Sequence, residues 1–138
     1  IPEIGTVEAR SIPYVVLTSN GTRELSDALR RRCLYHYIEY PTEDKELRIV
    51  MARLPEAGVA LAGQIVRFVQ AVRKEDLAKK PGIAETLDWT AALMGLEVKD
   101  LRDDTAVVHE SLLCLLKTRE DQRLIPLEVV ERIAGKVA

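Results

Sequence analysis

Residues 15–41 read VVLTSNGTRELSDALRRRCLYHYIEYP, and the reading of this stretch decides the fold. The apolar run Tyr14-Val15-Val16-Leu17 ends in the small polar residues Thr18, Ser19 and Asn20. A run that is apolar on both faces suits a central strand of a parallel sheet covered from both sides. A strand over residues 14–19 is therefore expected, with the Asn20 amide at its tip. A short helix is expected over 23–31. Thr22 is its N-cap, Glu24 and Asp27 lie early in it, and Arg30-Arg31-Arg32 stand at its end, the order that the helix dipole favours. Residues 33–39 carry Tyr35, Tyr37 and Ile38 and predict a second strand, closed by Pro41. The tyrosines at 14, 35, 37 and 40 are expected to pack on this sheet.

An amide fixed at a strand tip and arginines at a helix end both suit the handling of an anion, because a guanidinium is always charged and binds phosphate oxygens as a fork. Plainer readings stand beside this one. Asn20-Gly21 is also a strong turn signal, and a basic helix end also complements the dipole in solvent.

Beyond Pro41 the pattern is helical. Thr42 caps a helix with Glu43 and Asp44 in its first turn, running to about Leu54, and Pro55 and Gly58 break it. Residues 59–74 place Leu61, Ile65, Phe68 and Val72 on one stripe, with Val66 and Val69 beside it. Lys79-Lys80-Pro81-Gly82 is a break, and the next helix, 83–94, holds the single tryptophan, Trp89, as the expected anchor of the bundle. Asp104 caps a helix with Val108, Leu112, Leu115 and Leu116 inside. Pro126 opens the last helix, which runs to about Gly135. The expected fold is mostly α: the end of an α/β sheet domain, contributing two strands, followed by a bundle of about five helices.

The 138 residues, 47% hydrophobic and 30% charged, fit one domain or two small pieces. A net charge of −2 gives no general attraction to nucleic acid or to an acidic membrane, so neither is an expected partner. No apolar stretch approaches the roughly 18 residues of a membrane span. Cys33 and Cys114 lie far apart and read as reduced thiols of a cytoplasmic protein. His36 and His109 lack a second ligand at useful spacing, so no metal centre is expected. The opening IPEIGTVEAR reads as the interior of a longer protein, so the chain is expected to be a fragment.

The stretch VVLTSNGTRELSDALRRRCLYHYIEYP resembles the AAA+ ATPases, in particular the MoxR-like branch. There a hydrophobic strand ends in a Ser/Thr-Asn pair, and an arginine-tipped helix leads into the last strand of the core. KKPGIAETLDWTAAL, residues 79–93, looks like the start of the lid helix that carries that family's second sensor. The resemblance covers residues 1 to about 95. It implies that residues 1–41 are the C-terminal piece of a P-loop-type α/β core and 42–138 its helical lid.

The resemblance also implies roles. Asn20 matches the first sensor, which orients the attacking water and contacts the γ-phosphate. Arg32 matches the arginine finger that acts on a neighbouring subunit's nucleotide, with Arg31 and Arg30 as the other members of the run. Glu85 stands where this branch usually offers a second-sensor arginine. A carboxylate there repels phosphate, and Lys79 or Lys80 is the alternative source of compensating charge. No GxxxxGK[ST] loop and no acidic Walker B strand occur in the chain. ATP and Mg are thus expected in a full-length parent, with no cofactor on this fragment and no ATP hydrolysis by it alone. The parent would be a ring, expected to be a hexamer, that remodels or matures a partner protein. The alternative is a non-enzymatic helical protein–protein interaction module.

Overall fold

The structure, a computed structural model, describes residues 10–19 and 25–137. The chain divides into two compact units, Ile1–Ile38 and Glu39–Ala138. This division falls three residues before the boundary expected at Pro41.

In the first unit the described residues form one helix, α1 (Asp27–Arg32). Its N-cap is Ser26, whose hydroxyl accepts from the Leu29 amide at 3.3 Å. The helix therefore begins four residues later than the 23–31 reading, and Thr22 and Glu24 lie outside the described residues. Residues 14–19 and 33–39 belong to no helix or strand, and there is no strand among the described residues. This corrects the expected two-strand sheet. A strand exists only through its ladder partners, and two segments alone are marginal even when paired. Apolar, β-branched composition specifies an extended backbone but not a partner. Tyr14, Val16, Leu34 and Ile38 are exposed accordingly, and Tyr35, Tyr37 and Tyr40 are at least half exposed. The expected packing of the four tyrosines on a sheet is corrected with it.

The second unit is the helical unit expected after residue 41, built from six α-helices rather than five. They are α2 (Glu43–Arg53), α3 (Gly58–Val72), α4 (Ile83–Gly95), α5 (Thr105–Ser111), α6 (Arg119–Leu124) and α7 (Leu127–Ala134), with 3₁₀ turns at Pro55–Ala57 and Leu112–Cys114. Thr42 and Asp104 cap α2 and α5 as expected, accepting from the Lys45 and Val107 amides. α5 ends sooner than its apolar pattern suggests. The Leu112–Cys114 turn tightens there, and Leu112, Leu115 and Leu116 are buried from the turn instead of from a helix.

α3 is the central helix because it is apolar on two faces. Leu61, Ile65, Phe68, Val69 and Val72 face the main core with Trp89, Leu93, Leu101, Leu115, Leu116, Ile125, Val130 and Ile133. Ala62 and Val66 face Val50 of α2 in a second, smaller cluster. Trp89 is wholly buried, its ring 5.0 Å from that of Phe68, and its Nε1–H donates to Ser111 Oγ at 2.8 Å. The Ser111 hydroxyl in turn donates to the Val108 carbonyl, so the polar atoms placed in the core are satisfied. The tryptophan is the anchor that its position implied.

α4 ends in a Schellman arrangement. The Val98 amide reaches the Leu93 carbonyl and the Glu97 amide that of Met94. Leu93 and Val98 then meet in the core, which is the apolar contact this cap usually carries. The arrangement demands a left-handed residue, and Glu97 supplies it at φ 59°, where an L side chain is strained. Glu97→Gly is therefore expected to stabilise the unit by about 1 kcal/mol, read as a higher urea midpoint at unchanged m-value.

α6 is the helix that its sequence conceals. Thr118 caps it, accepting from the Asp121 amide while its hydroxyl donates to the Asp121 carboxylate. That buried carboxylate also accepts from the Ala78 amide at 2.8 Å and the Lys79 amide at 3.1 Å. One side chain thus ties α6 to the loop after α3. Burial raises the Asp121 carboxyl, but the Thr118 hydroxyl and the two amides outweigh burial and hold it below its ordinary value. Asp100 is also held low, chiefly by the Arg102 side chain, then by the Arg102 amide and by Gln64.

A carboxyl whose folded-state value lies below its unfolded one adds stability above the unfolded value. That stability is lost as pH falls toward the folded value. With an unfolded value near 3.9, the Tm is expected to fall as pH drops through about 4. Asp121→Asn should lower the Tm at neutral pH and flatten the acid limb. Calorimetry across that range checks both, and an unchanged acid limb in the variant refutes the assignment.

Candidate functional site

The arginine run is the first candidate. Ser26 starts α1, Asp27 lies in its first turn and all three arginines lie in its last, so the helix places three cations at the carbonyl end that attracts them. None is buried. Arg30 lies over the Tyr35 ring, 5.8 Å from its centroid. Arg32 Nη1 donates to the Ala28 carbonyl of its own helix at a long 3.4 Å. No ion pair engages any of the three among the described residues. The run is a solvent-facing cationic tip, chemically suited to an anion supplied from elsewhere. Asn20, the expected sensor amide, lies outside the described residues.

Glu85 belongs to the helical unit. It sits at the third position of α4, and its Oε2 accepts from the Gly82 amide at 3.0 Å. This is one half of a capping box, since Gly82 has no side chain to return the bond. The carboxylate at this sequence position thus closes the start of a helix, a use that needs no ligand. Lys79 and Lys80 are exposed, and the backbone around them is held by Asp121 and Tyr40.

A second group of residues was not expected from the pattern. Glu46, with no solvent exposure, receives both arms of Arg73, Nη1 to Oε2 at 2.6 Å and Nη2 to Oε1 at 2.7 Å. The Thr86 hydroxyl donates to Oε1 at 2.8 Å and Gln70 Nε2 to Oε2 at 2.8 Å. Arg73 Nε reaches the Pro81 carbonyl, and Gln70 Nε2 also reaches that of Pro41. Tyr40 lays its ring 4.9 Å from the Arg73 guanidinium and donates to the Lys80 carbonyl.

This buried charge cluster ties residues 40–41, α2, α3, the 80–82 turn and α4 together. Its partners are consumed by one another, so it presents no free group to a ligand and reads as a fastening. Its sequence signal was faint. Glu46 lies one turn before the buried Val50, and Arg73 lies one turn after the buried Val69, so both continue apolar stripes with a charge.

Among the described residues no group of His, Cys, Asp and Glu is arranged to hold a metal, and Cys33 and Cys114 are free thiols. No single helix there is long and apolar enough to cross a membrane. No protein-family model, curated protein sequence or solved structure matches the chain.

Proposed function

We propose that the chain is the sensing and lid portion of a MoxR-like AAA+ ATPase, which couples ATP binding and hydrolysis to remodelling of a partner protein. The observation that carries the reading is the tip of α1: three exposed arginines, in no ion pair among the described residues, standing directly before the exposed apolar residues Leu34, Tyr35, Tyr37 and Ile38. In this reading Arg32 reaches a neighbouring subunit's γ-phosphate in a ring, expected to be a hexamer. Arg31 flanks it, and Asn20 serves its own subunit's ATP and Mg. The exposed apolar segments 14–17 and 34–38 become strands once the rest of the core sheet supplies their ladders. The helical unit is the lid, which moves as one body because the Glu46–Arg73 cluster knits α2, α3 and α4 together. Glu85 caps α4 and does not act as a second sensor. The setting is the cytoplasm.

The test is Arg32→Ala in the intact protein, with turnover and nucleotide binding measured side by side. Loss of turnover with binding kept supports the finger. Unchanged turnover overturns it and favours the alternative, a non-enzymatic helical interaction module. That second reading draws on the helical unit alone, which holds a complete core of its own. The isolated chain is expected to show no ATP hydrolysis, and measurable turnover by it contradicts the assignment.

A further inference from the structure

The helical unit carries a groove that neither the nucleotide reading nor the core packing uses. Its volume is about 460 Å³, and it lies between the end of α5 with its 3₁₀ turn on one side and α6 with the start of α7 on the other. Leu112 forms the floor and is buried. Leu113 is 63% exposed on the wall, and Pro126 closes the end. An exposed leucine beside a buried one, at the mouth of a cleft, is an apolar anchor point without a partner in the unit.

The polar rim gives the groove a sign. Arg119 and Arg123 stand four residues apart, on the same side of α6, and Gln122 lies between them. α6 turns Asp121 inward to its buried hydrogen bonds, so the helix keeps that carboxylate away from the outward arginines. Both arginines are exposed and neither forms an ion pair among the described residues. The opposing wall offers His109 and one carboxylate, Glu110. The groove's own lining is therefore net cationic, with the exposed Glu120 of α6 outside it, in a chain whose overall charge is −2.

We propose that this groove receives an acidic amphipathic helix from a partner protein. One apolar side chain of that helix would seat against Leu112, Leu113 and Pro126. Carboxylates one turn apart on it would meet Arg119 and Arg123, since i and i+4 positions on two helices share the same spacing. Glu110 sets the orientation, because an acidic residue facing it is repelled. The groove holds only a few side chains, so the contact is a transient one whose affinity is salt-dependent. The proposal goes beyond the nucleotide reading and does not depend on it.

The test uses the isotope-labelled 138-residue chain and two synthetic helices, one of leucine and glutamate and one with lysine for glutamate. The glutamate peptide is expected to shift amide resonances at Leu113, Arg119, Gln122 and Arg123, with binding that weakens as salt is added. Arg119→Glu/Arg123→Glu is expected to weaken it about tenfold, two exposed ion pairs' worth, and to bind the lysine peptide instead. Leu113→Ala should weaken both. These residues are exposed, so the variants should keep the wild-type spectrum elsewhere. Equal binding of both peptides, shifts located elsewhere, no binding, or shifts that appear on concentration of the chain alone (a second copy as occupant) would each overturn the proposal.

Discussion

On the proposed role of Arg32 as a finger, replacing it by alanine in the intact protein is expected to reduce ATP turnover by about 10³–10⁵-fold while leaving nucleotide binding in place. The size follows from the chemistry. Charge spreads over the γ-phosphoryl oxygens in the transition state, and a guanidinium brought to them stabilises that state more than the bound nucleotide. The structure makes the experiment clean. Arg32 is exposed, and among the described residues its side chain makes one hydrogen bond, a long contact to its own helix. Truncation therefore disturbs folding by no more than about 0.5 kcal/mol, the usual range for a surface position.

Arg30 and Arg31 are internal controls. Arg30→Ala removes only a contact with the Tyr35 ring, and Arg31→Ala removes a side chain exposed in solvent. A finger acts through geometry, so one of the three variants should lose most of the rate. An equal, modest loss from all three would point to a general electrostatic field, and that field would be screened by salt.

The helical unit was legible wherever a local signal decided the structure. Thr42 and Asp104 each precede an apolar stripe and cap it. The stripe from Leu61 to Val72 turns inward as its period requires, and Trp89 lies at the centre of the core. What was not legible depends on partners distant in sequence. Residues 14–17 and 34–38 have the composition of strands, but a strand is defined by its neighbour, and none is present among the described residues. α6 was hidden because Arg119–Leu124 has no apolar stripe. Its capping threonine and its buried aspartate become informative only once the Ala78 and Lys79 amides are seen to need an acceptor.

At the candidate site the arginine run is a basic helix end in the sequence and in the structure alike. The family pattern places Glu85 at a sensor position, whereas its contact with the Gly82 amide, three residues away, is a capping geometry. The Glu46–Arg73 pair could not be seen, because the partners are far apart in the chain and each alone looks like a dipole-complementing surface charge.

Arg73→Ala is expected to destabilise the helical unit by about 3–5 kcal/mol, a large part of the 5–15 kcal/mol that holds a typical domain together. The loss is not the removal of an attraction between two charges in water. Glu46 has no solvent exposure, so without Arg73 its carboxylate stays buried with only the Thr86 hydroxyl and the Gln70 amide to satisfy it. The Pro81 carbonyl loses its donor in the same step, and the Tyr40 ring loses its cation. Arg73→Lys should recover little, since an ammonium cannot serve two carboxylate oxygens and a carbonyl in one plane.

The informative variant is the double one, Glu46→Leu with Arg73→Met. Removing both charges removes the desolvation penalty that either single change exposes, so the pair should be far less destabilised than the sum of the singles. Urea unfolding measures all of these. A single-variant loss below about 1 kcal/mol, the range of an exposed pair, would mean that water reaches the site. Additivity in the double variant would mean that the two side chains do not act as a pair. Added salt separates the same possibilities, because a buried pair is screened far less than a surface one.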